Sequence, residues 1–355
     1  MKKFILFCFV FVALSISAQT PWEKLFSPKA QEFAFYYSLP KTTLYADIEF
    51  TKTTLKAGPY YRYAEKLFGI TNPILQDSTF YSLDKVSVNA TSTVDKTTSC
   101  LTQITLPLPN IVVNSEGVIS AINANPDSTL AAKIKPLPSN YIIKQAVANA
   151  QLSLTEETLA SGSTAKMAEM AAKQIFRLRE SRLDVLTGDA DQRPKDGVGI
   201  KILLDELDKQ EKTLITLFIG TTQIEKLFVR TKITPSEFDI NHQVLFRFSK
   251  YFGYIAADDL SGEPVYLDIK ATDRKEPLPI DPKALPIAKK GIEYIVPGKG
   301  NLKISYNSSI LFDSEFTFTQ FGFQANFSAD LFNRKKSPAK VILHPNSGAI
   351  VSLVQ

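Results

Sequence analysis

Residues 163–188, STAKMAEMAAKQIFRLRESRLDVLTG, predict the element that decides the fold. Ser163 or Thr164 can cap the start of a helix, and Gly188 stands directly after Thr187, where the helical pattern ends. A second helical pattern follows a short loop and ends at Gly220. Two long helices joined in this way predict an antiparallel hairpin, about 30 Å in length. The apolar stripe of the second helix comprises Ile200, Leu203, Leu204, Leu207, Leu214 and Phe218.

Charged side chains fall on the apolar faces of both predicted helices. Arg179 and Arg182 share a face with apolar residues of the first helix, and Glu211 lies in the centre of the second stripe. A buried charge needs a partner, so we predict an ion pair of Glu211 with Arg179, or with Arg182 as second choice. The alternative is that these side chains extend to solvent at the edge of the hairpin. The apolar face of the first helix comprises Ala168, Ala171, Ile175, Leu178 and Leu186.

Strand patterns lie on both sides of the helical region. In residues 43–51, TLYADIEFT, apolar and polar side chains alternate with a period of two, which indicates a half-buried antiparallel strand. Similar alternation occurs at 244–249, 265–270 and 316–319. The sequence therefore predicts an α+β fold with two antiparallel β-rich, sandwich-like domains and a long antiparallel helical hairpin between them. The predicted boundaries are 30–135 for the N-terminal β-rich domain, 140–220 for the hairpin region and 221–355 for the C-terminal domain.

The first 18 residues have the three parts of a secretory signal peptide. Lys2 and Lys3 are followed by an apolar run from Phe4 to Leu14 and then by small residues up to Ala18. The apolar run is too short to span a bilayer, which needs about 20 residues. We therefore predict cleavage after Ala18 and no transmembrane segment in the mature chain.

Charge and cysteine content exclude several classes of protein. Removal of Lys2 and Lys3 leaves 39 basic and 36 acidic residues, an excess too small to predict a nucleic-acid partner. Cys8 leaves with the signal peptide, so Cys100 has no partner for an internal disulfide. The mature chain must therefore be stabilised by burial of apolar side chains.

Four segments of the chain resemble one family of exported Bacteroidota proteins, known only as a domain of unknown function. They are YYSLPKTTL at 36–44, TKTTLKAGPYYRYAEKLFG at 51–69, RLRESRLDVLTGDAD at 177–191 and FRFSKYFGYIAADDLSGEPVYL at 246–267. The resemblance implies a secreted or envelope location. It implies no activity and no functional residue, because the family has no established function.

Few residues stand out as a site. The aromatic segment Tyr60, Tyr61, Arg62 and Tyr63 is a candidate platform for carbohydrate or peptide, because tyrosine offers rigid contact area with a polar tip. Packing of these rings in the core or at the edge of a β domain is the alternative. No motif for catalysis, metal binding or a cofactor occurs, so we predict no metal and no cofactor.

These observations favour one functional class over another. The leading hypothesis is an exported, non-enzymatic binding or envelope-structural protein, located in the periplasm, at the outer membrane or outside the cell. Its expected partner is an envelope glycan or an envelope protein, and nucleic acid is not expected. The alternative hypothesis is a hydrolase that acts on envelope or dietary glycans or peptides, because catalytic groups need not be close in sequence.

Overall fold

The computed structural model describes residues 25–26, 32–105, 109–130, 134–144, 150–190, 196–277, 291–332, 334 and 337–354. The predicted signal peptide lies outside these residues. The described helices are α1 (Ala64–Phe68), α2 (Glu156–Leu159), α3 (Thr164–Thr187) and α4 (Gly197–Ile219). The described strands are β1 (Leu25–Phe26), β2 (Glu32–Lys56), β3 (Ser78–Thr105), β4 (Ile111–Val113), β5 (Ile119–Ile122), β6 (Tyr141–Lys144), β7 (Thr221–Ile233), β8 (Ile240–Ser249), β9 (Gly253–Ile255), β10 (Glu263–Asp273), β11 (Gly291–Tyr306), β12 (Ser309–Ser328), β13 (Lys340–Leu343) and β14 (Ile350–Val354).

A long central strand, β2, organises the first sheet. β3 pairs with β2 along one side, while β7 pairs along the other side from Leu44 to Lys56. β6 extends the sheet beyond β7, and β1 lies beside the start of β2. The alternation in residues 43–51 sets the two faces of this sheet, because Leu44, Ala46 and Ile48 are buried on one face.

The second sheet packs on that buried face. Its strands run in the order β12, β11, β10, β8 and β9, all antiparallel. Phe246, Leu267 and Phe318 from this sheet share one hydrophobic core with Leu44 and Ile48 of the first sheet. The two sheets therefore form a sandwich whose core draws on both β-rich regions of the sequence.

A third sheet joins the two regions again. It has the order β14, β13, β5 and β4, so residues 111–122 pair with residues 340–354. A second core lies beneath it and includes Tyr37, Cys100 and Val341. The predicted boundaries at 30–135 and 221–355 thus do not separate the sheets. The strand regions are interleaved. The sequence did not indicate this, because pairing between strands that are far apart in sequence leaves no mark in the local alternation.

The helices lie at one end of the sandwich and end where the sequence indicates. Ser163 caps α3, its hydroxyl accepting a hydrogen bond from Lys166 N at 3.3 Å, and Gly188 follows in a left-handed conformation. Ile175 of α3 packs with Leu214 and Phe218 of α4 in a third core. Leu186, predicted on the apolar face, is 63 % exposed, because its neighbour Val185 takes the buried position in this turn of α3. No described helix is long and apolar enough to cross a membrane.

Candidate functional site

A cleft of about 1070 Å³ lies along a seam between the two sheets of the sandwich. We call it the seam cleft. Four segments line it together with Ile295 of β11, namely 39–41 of β2, the β7–β8 connection 235–239, residues 274–277 after β10, and 319–324 of β12. In β12, residues 319–322 stand opposite Pro297 alone, so the strand bulges at this position. The bulge lies beside β2 and forms one wall of the cleft.

Arg274 fixes the wall formed by the β7–β8 connection. Its guanidinium donates to Glu237 O at 2.5 Å and to Asp239 Oδ1 at 2.7 Å, and its central carbon lies 4.6 Å from the centre of the Phe321 ring. The Ala271 N–H and then the Arg274 guanidinium hold the pKa of the Asp239 carboxyl below its usual range. Arg274 therefore joins the end of β10 to the connection and to the bulge.

Gln320 and two threonines fix the opposite wall. The Gln320 side-chain amide donates to Thr42 O at 2.7 Å and to Pro235 O at 3.3 Å. Thr42 and Thr319 bond to each other across the seam, and both are buried. These contacts hold β2, β12 and the β7–β8 connection together around the cleft. Phe238 stands on the rim with 78 % of its surface exposed.

A buried polar cluster lies in the second core, near the third sheet. The Cys100 thiol donates to Glu293 Oε2 at 2.9 Å, and Glu293 N donates to the Tyr37 hydroxyl at 2.6 Å. Burial, together with the Glu293 carboxylate, raises the pKa of the Cys100 thiol to about 12. A thiol with such a pKa is protonated at neutral pH and is therefore a poor nucleophile. We interpret the cluster as a structural link between β2, β3 and β11.

The comparison with known protein families gives one match. The model for Domain of unknown function (DUF4831) matches residues 34–351. The chain belongs to the DUF4831 family. No curated protein and no solved structure matches it. The DUF4831 match contains all four segments that line the seam cleft.

The structure separates the four residues of the predicted aromatic platform. In this DUF4831 chain Tyr60 is only 4 % exposed, and its ring centre lies 5.5 Å from that of Phe218 in the helical core. Tyr63 packs against the same core. Arg62 is exposed, and its Nε donates to the Tyr61 hydroxyl at 3.1 Å. Tyr60 is therefore packed in the core of the helices and not in that of a β domain, while ligand binding by Tyr61 and Arg62 stays a prediction.

The charges on the hairpin meet between the two helices. Arg179 Nε lies 2.7 Å from Glu211 Oε1, and Arg182 Nη1 lies 3.2 Å from Glu211 Oε2. Both arginines named from the helical spacing thus contact the same carboxylate. The guanidinium carbon of Arg179 also lies 5.6 Å from the ring centres of Phe68 and Phe176. These two rings therefore pack against the ion pair.

Sequence reasoning missed the residues of the seam cleft. Arg274, Asp239 and Gln320 come from three separate segments, and no local pattern marks them as neighbours. One signal was available, because Phe238 stands in the polar turn PSEFD, where a large apolar side chain is unexpected. Among the described residues, no three His, Cys, Asp or Glu side chains gather as metal ligands.

Proposed function

We propose that this DUF4831 chain is an exported, non-enzymatic binding protein of the cell envelope, and that the seam cleft holds its ligand. The proposal of export is supported by the basic start, the apolar run and the small residues up to Ala18. The mature protein would then act in the periplasm, at the outer membrane or outside the cell.

The binding proposal rests on the seam cleft, whose walls are held in place by side-chain contacts. Arg274 bonds to the β7–β8 connection and packs on the Phe321 ring of β12, and Gln320 bonds to β2 and to the same connection, so the cleft keeps its shape without a ligand. A site that is formed in advance loses less conformational entropy when a ligand binds. The exposed ring of Phe238 offers an aromatic anchor at the rim, and such side chains often dominate binding energy.

A polypeptide segment is the ligand class that the lining supports best. Lys41 and Lys275 lie in the lining together with Glu237 and Glu276, so charges of both signs are present. β12 is an edge strand of the second sheet, and edge strands can accept an extended segment through backbone hydrogen bonds. An envelope protein with an exposed extended segment is therefore the proposed partner.

Site-specific photocrosslinking tests this function. Phe238 is replaced by p-benzoylphenylalanine in the mature protein, which is then irradiated with an envelope extract of the producing cells. We expect one main crosslinked polypeptide, which disappears when Arg274→Ala is added because the cleft wall is released. The matched control carries the same photoreactive residue at Phe176, an exposed aromatic position on α3.

Two outcomes would count against the proposal. Equal crosslinking from positions 238 and 176 would show that capture does not depend on the cleft. Turnover of a peptide or glycan panel by the wild-type protein, lost in Arg274→Ala, would instead support the hydrolase hypothesis.

A further inference from the structure

A second, smaller cleft lies at the third sheet, and none of its lining residues lines the seam cleft. Its volume is about 330 Å³, at the lower end of the range of about 300 to 1,000 Å³ typical of small-molecule sites. Four segments line it, namely 91–92 of β3, the region 112–120 around β4 and β5, residues 126–128, and the β13–β14 turn at 343–346. We call it the hydroxyl cleft, because seven of its lining residues are serine, threonine or asparagine: Thr91, Ser92, Asn114, Ser115, Ser120, Ser128 and Asn346.

Two buried hydroxyl groups in this lining have no hydrogen-bond partner among the described residues. Thr91 and Ser120 are only 9 % and 8 % exposed, and neither side chain has a hydrogen-bond partner within the described part of the chain. Neither hydroxyl oxygen is fully enclosed, so both remain in reach of the cleft. A ligand that fills the cleft takes solvent away from these hydroxyls, and each one then left without a partner would cost about 1 to 3 kcal/mol. Both hydroxyls are therefore positioned to gain from a ligand that supplies the missing hydrogen bonds.

The side-chain amide of Asn346 lies in the same lining and offers a further hydrogen-bond donor. Ser92 Oγ lies 3.3 Å from Asn346 Oδ1 and 3.4 Å from Pro345 O, so its proton can be donated to either oxygen. The Asn346 NH₂ group donates to no described residue, so it is available as a donor beside the hydroxyls. Val112, Val113 and Leu343 add apolar surface to the same lining. Hydroxyls, an amide and apolar side chains together suit a sugar ring, which presents both O–H groups and C–H faces.

The charges of the lining select against anions. Among the described lining residues there is no Lys, Arg or His, while Glu116 and Asp127 are present. The Thr129 hydroxyl and N–H hold the pKa of the Asp127 carboxyl below its usual range, so this carboxyl is ionised at neutral pH. A phosphate or carboxylate ligand would face these acids without a compensating cation.

We propose that the hydroxyl cleft binds a neutral saccharide ring, with Thr91, Ser120 and Asn346 as its hydrogen-bonding groups. This site is independent of the peptide function proposed for the seam cleft. It would allow one protein to hold an envelope glycan at the third sheet and a polypeptide at the sandwich seam.

Calorimetry and saturation-transfer NMR with the mature protein test the site. The probes are D-glucose, D-mannose, D-galactose and N-acetyl-D-glucosamine, with glucose 6-phosphate as the anionic counterpart of glucose. At least one neutral sugar is expected to bind, and the phosphate is expected to bind at least about tenfold more weakly than glucose. Thr91→Val and Ser120→Ala should each weaken sugar binding about tenfold, which corresponds to the loss of one hydrogen bond.

The thermal stability of the same variants separates binding from a structural role. Because the hydroxyls have no partner among the described residues, Thr91→Val and Ser120→Ala should leave the Tm of the sugar-free protein unchanged or raise it. Thr93→Val is the matched control on the same strand, since Thr93 Oγ1 lies 2.9 Å from Thr43 Oγ1. It should lower the Tm and leave sugar affinity unchanged.

Three results would overturn the proposal. The first is no binding of any neutral sugar, which would mean that water alone occupies the cleft. The second is binding of glucose 6-phosphate as tight as that of glucose. The third is a fall in Tm for Thr91→Val and Ser120→Ala as large as that for Thr93→Val. Phe238→Ala in the seam cleft should not change sugar affinity, so failure of one site is distinguishable from failure of the other.

Discussion

Thr42 and Thr319 are 277 residues apart in sequence, yet each donates its backbone N–H to the hydroxyl of the other. The two N···O distances are 2.8 and 3.0 Å, and both residues are buried. This reciprocal pair joins the central strand of the first sheet to the edge strand of the second. It closes the seam of the sandwich beside the seam cleft.

Removal of one hydroxyl from this pair should destabilise the fold. Thr319→Val leaves the buried Thr42 N–H without its acceptor, so we expect the free energy of unfolding to fall by about 1 to 3 kcal/mol. Urea denaturation followed by circular dichroism measures this change. Thr54→Val is the control, because Thr54 lies in β2 but makes no side-chain hydrogen bond with a described residue. Equal effects of the two variants would contradict a role of the pair in stability.

Removal of the Glu211 carboxylate should destabilise the helical hairpin. Its side chain is 14 % exposed and faces two arginines. Without it Arg179 would lose its ion pair, while Arg182 would keep only Asp208, 3.5 Å away. We expect Glu211→Ala to cost about 1 to 2 kcal/mol, less than a fully buried pair because both arginines reach solvent. Glu206→Ala, in an exposed pair with Lys209, should cost less than about 0.5 kcal/mol. A cost for Glu211→Ala no larger than that for Glu206→Ala would show that the pair contributes nothing to stability.

The buried thiol should make the fold sensitive to alkali. The pKa of Cys100 rises from 9.0 to about 12 on folding, so the unfolded state loses its proton first. The stabilising contribution is fully present below pH 9 and is lost as pH rises from there toward 12. Cys100→Ser keeps a donor for Glu293 but does not titrate, and its stability should fall less between pH 8 and 10. Burial also raises the pKa of Tyr37, so some decline should remain. Identical pH dependence of variant and wild type would exclude the thiol as a cause.

His344 should make the fold sensitive to acid. Its Nδ1 accepts a hydrogen bond from Asn346 N at 3.2 Å, and burial lowers its pKa below 6.5. The unfolded state therefore binds a proton before the folded state does, and stability is lost as pH falls below 6.5. We expect His344→Asn, which keeps an acceptor without titrating, to have a smaller difference in Tm between pH 7.5 and pH 5. An unchanged difference in Tm would assign the acid sensitivity to other groups.

If the protein is exported as proposed, the first residue of the mature chain can be predicted. N-terminal sequencing of the protein from the envelope fraction should begin at Gln19, since small residues precede that position. Ala18→Leu should slow cleavage, and the precursor should accumulate. Recovery of unprocessed wild-type chain from the cytoplasm would contradict the proposed location.

Local features of the fold could be predicted because their causes are local. Ser163 and Gly188 mark the ends of α3 through their own hydrogen bonding and backbone conformation. The meeting of Glu211 with Arg179 follows from helical periodicity and from the short connection between the helices. Alternation in residues 43–51 likewise identifies the buried face of β2.

Features that depend on distant pairing could not be predicted. Nothing in residues 111–122 indicates that they pair with β13, and nothing near Arg274 indicates its contact with Asp239. The seam cleft arises where four such segments meet. The burial of Tyr60 could not be predicted either, because it depends on packing against Phe218, which lies on a helix far along the chain.

The interleaving of the sheets also determines when the protein can finish folding. Leu44 and Ile48 of β2 are covered by Phe246, Leu267 and Phe318, which a ribosome adds about two hundred to two hundred and seventy residues later. The third sheet must wait for residues 340–354, which follow β5 by more than two hundred residues. Folds dominated by such distant contacts form slowly, and their partly made chains expose apolar strands. A chain still in synthesis would therefore leave the apolar face of β2 exposed until Phe246, Leu267 and Phe318 have been added.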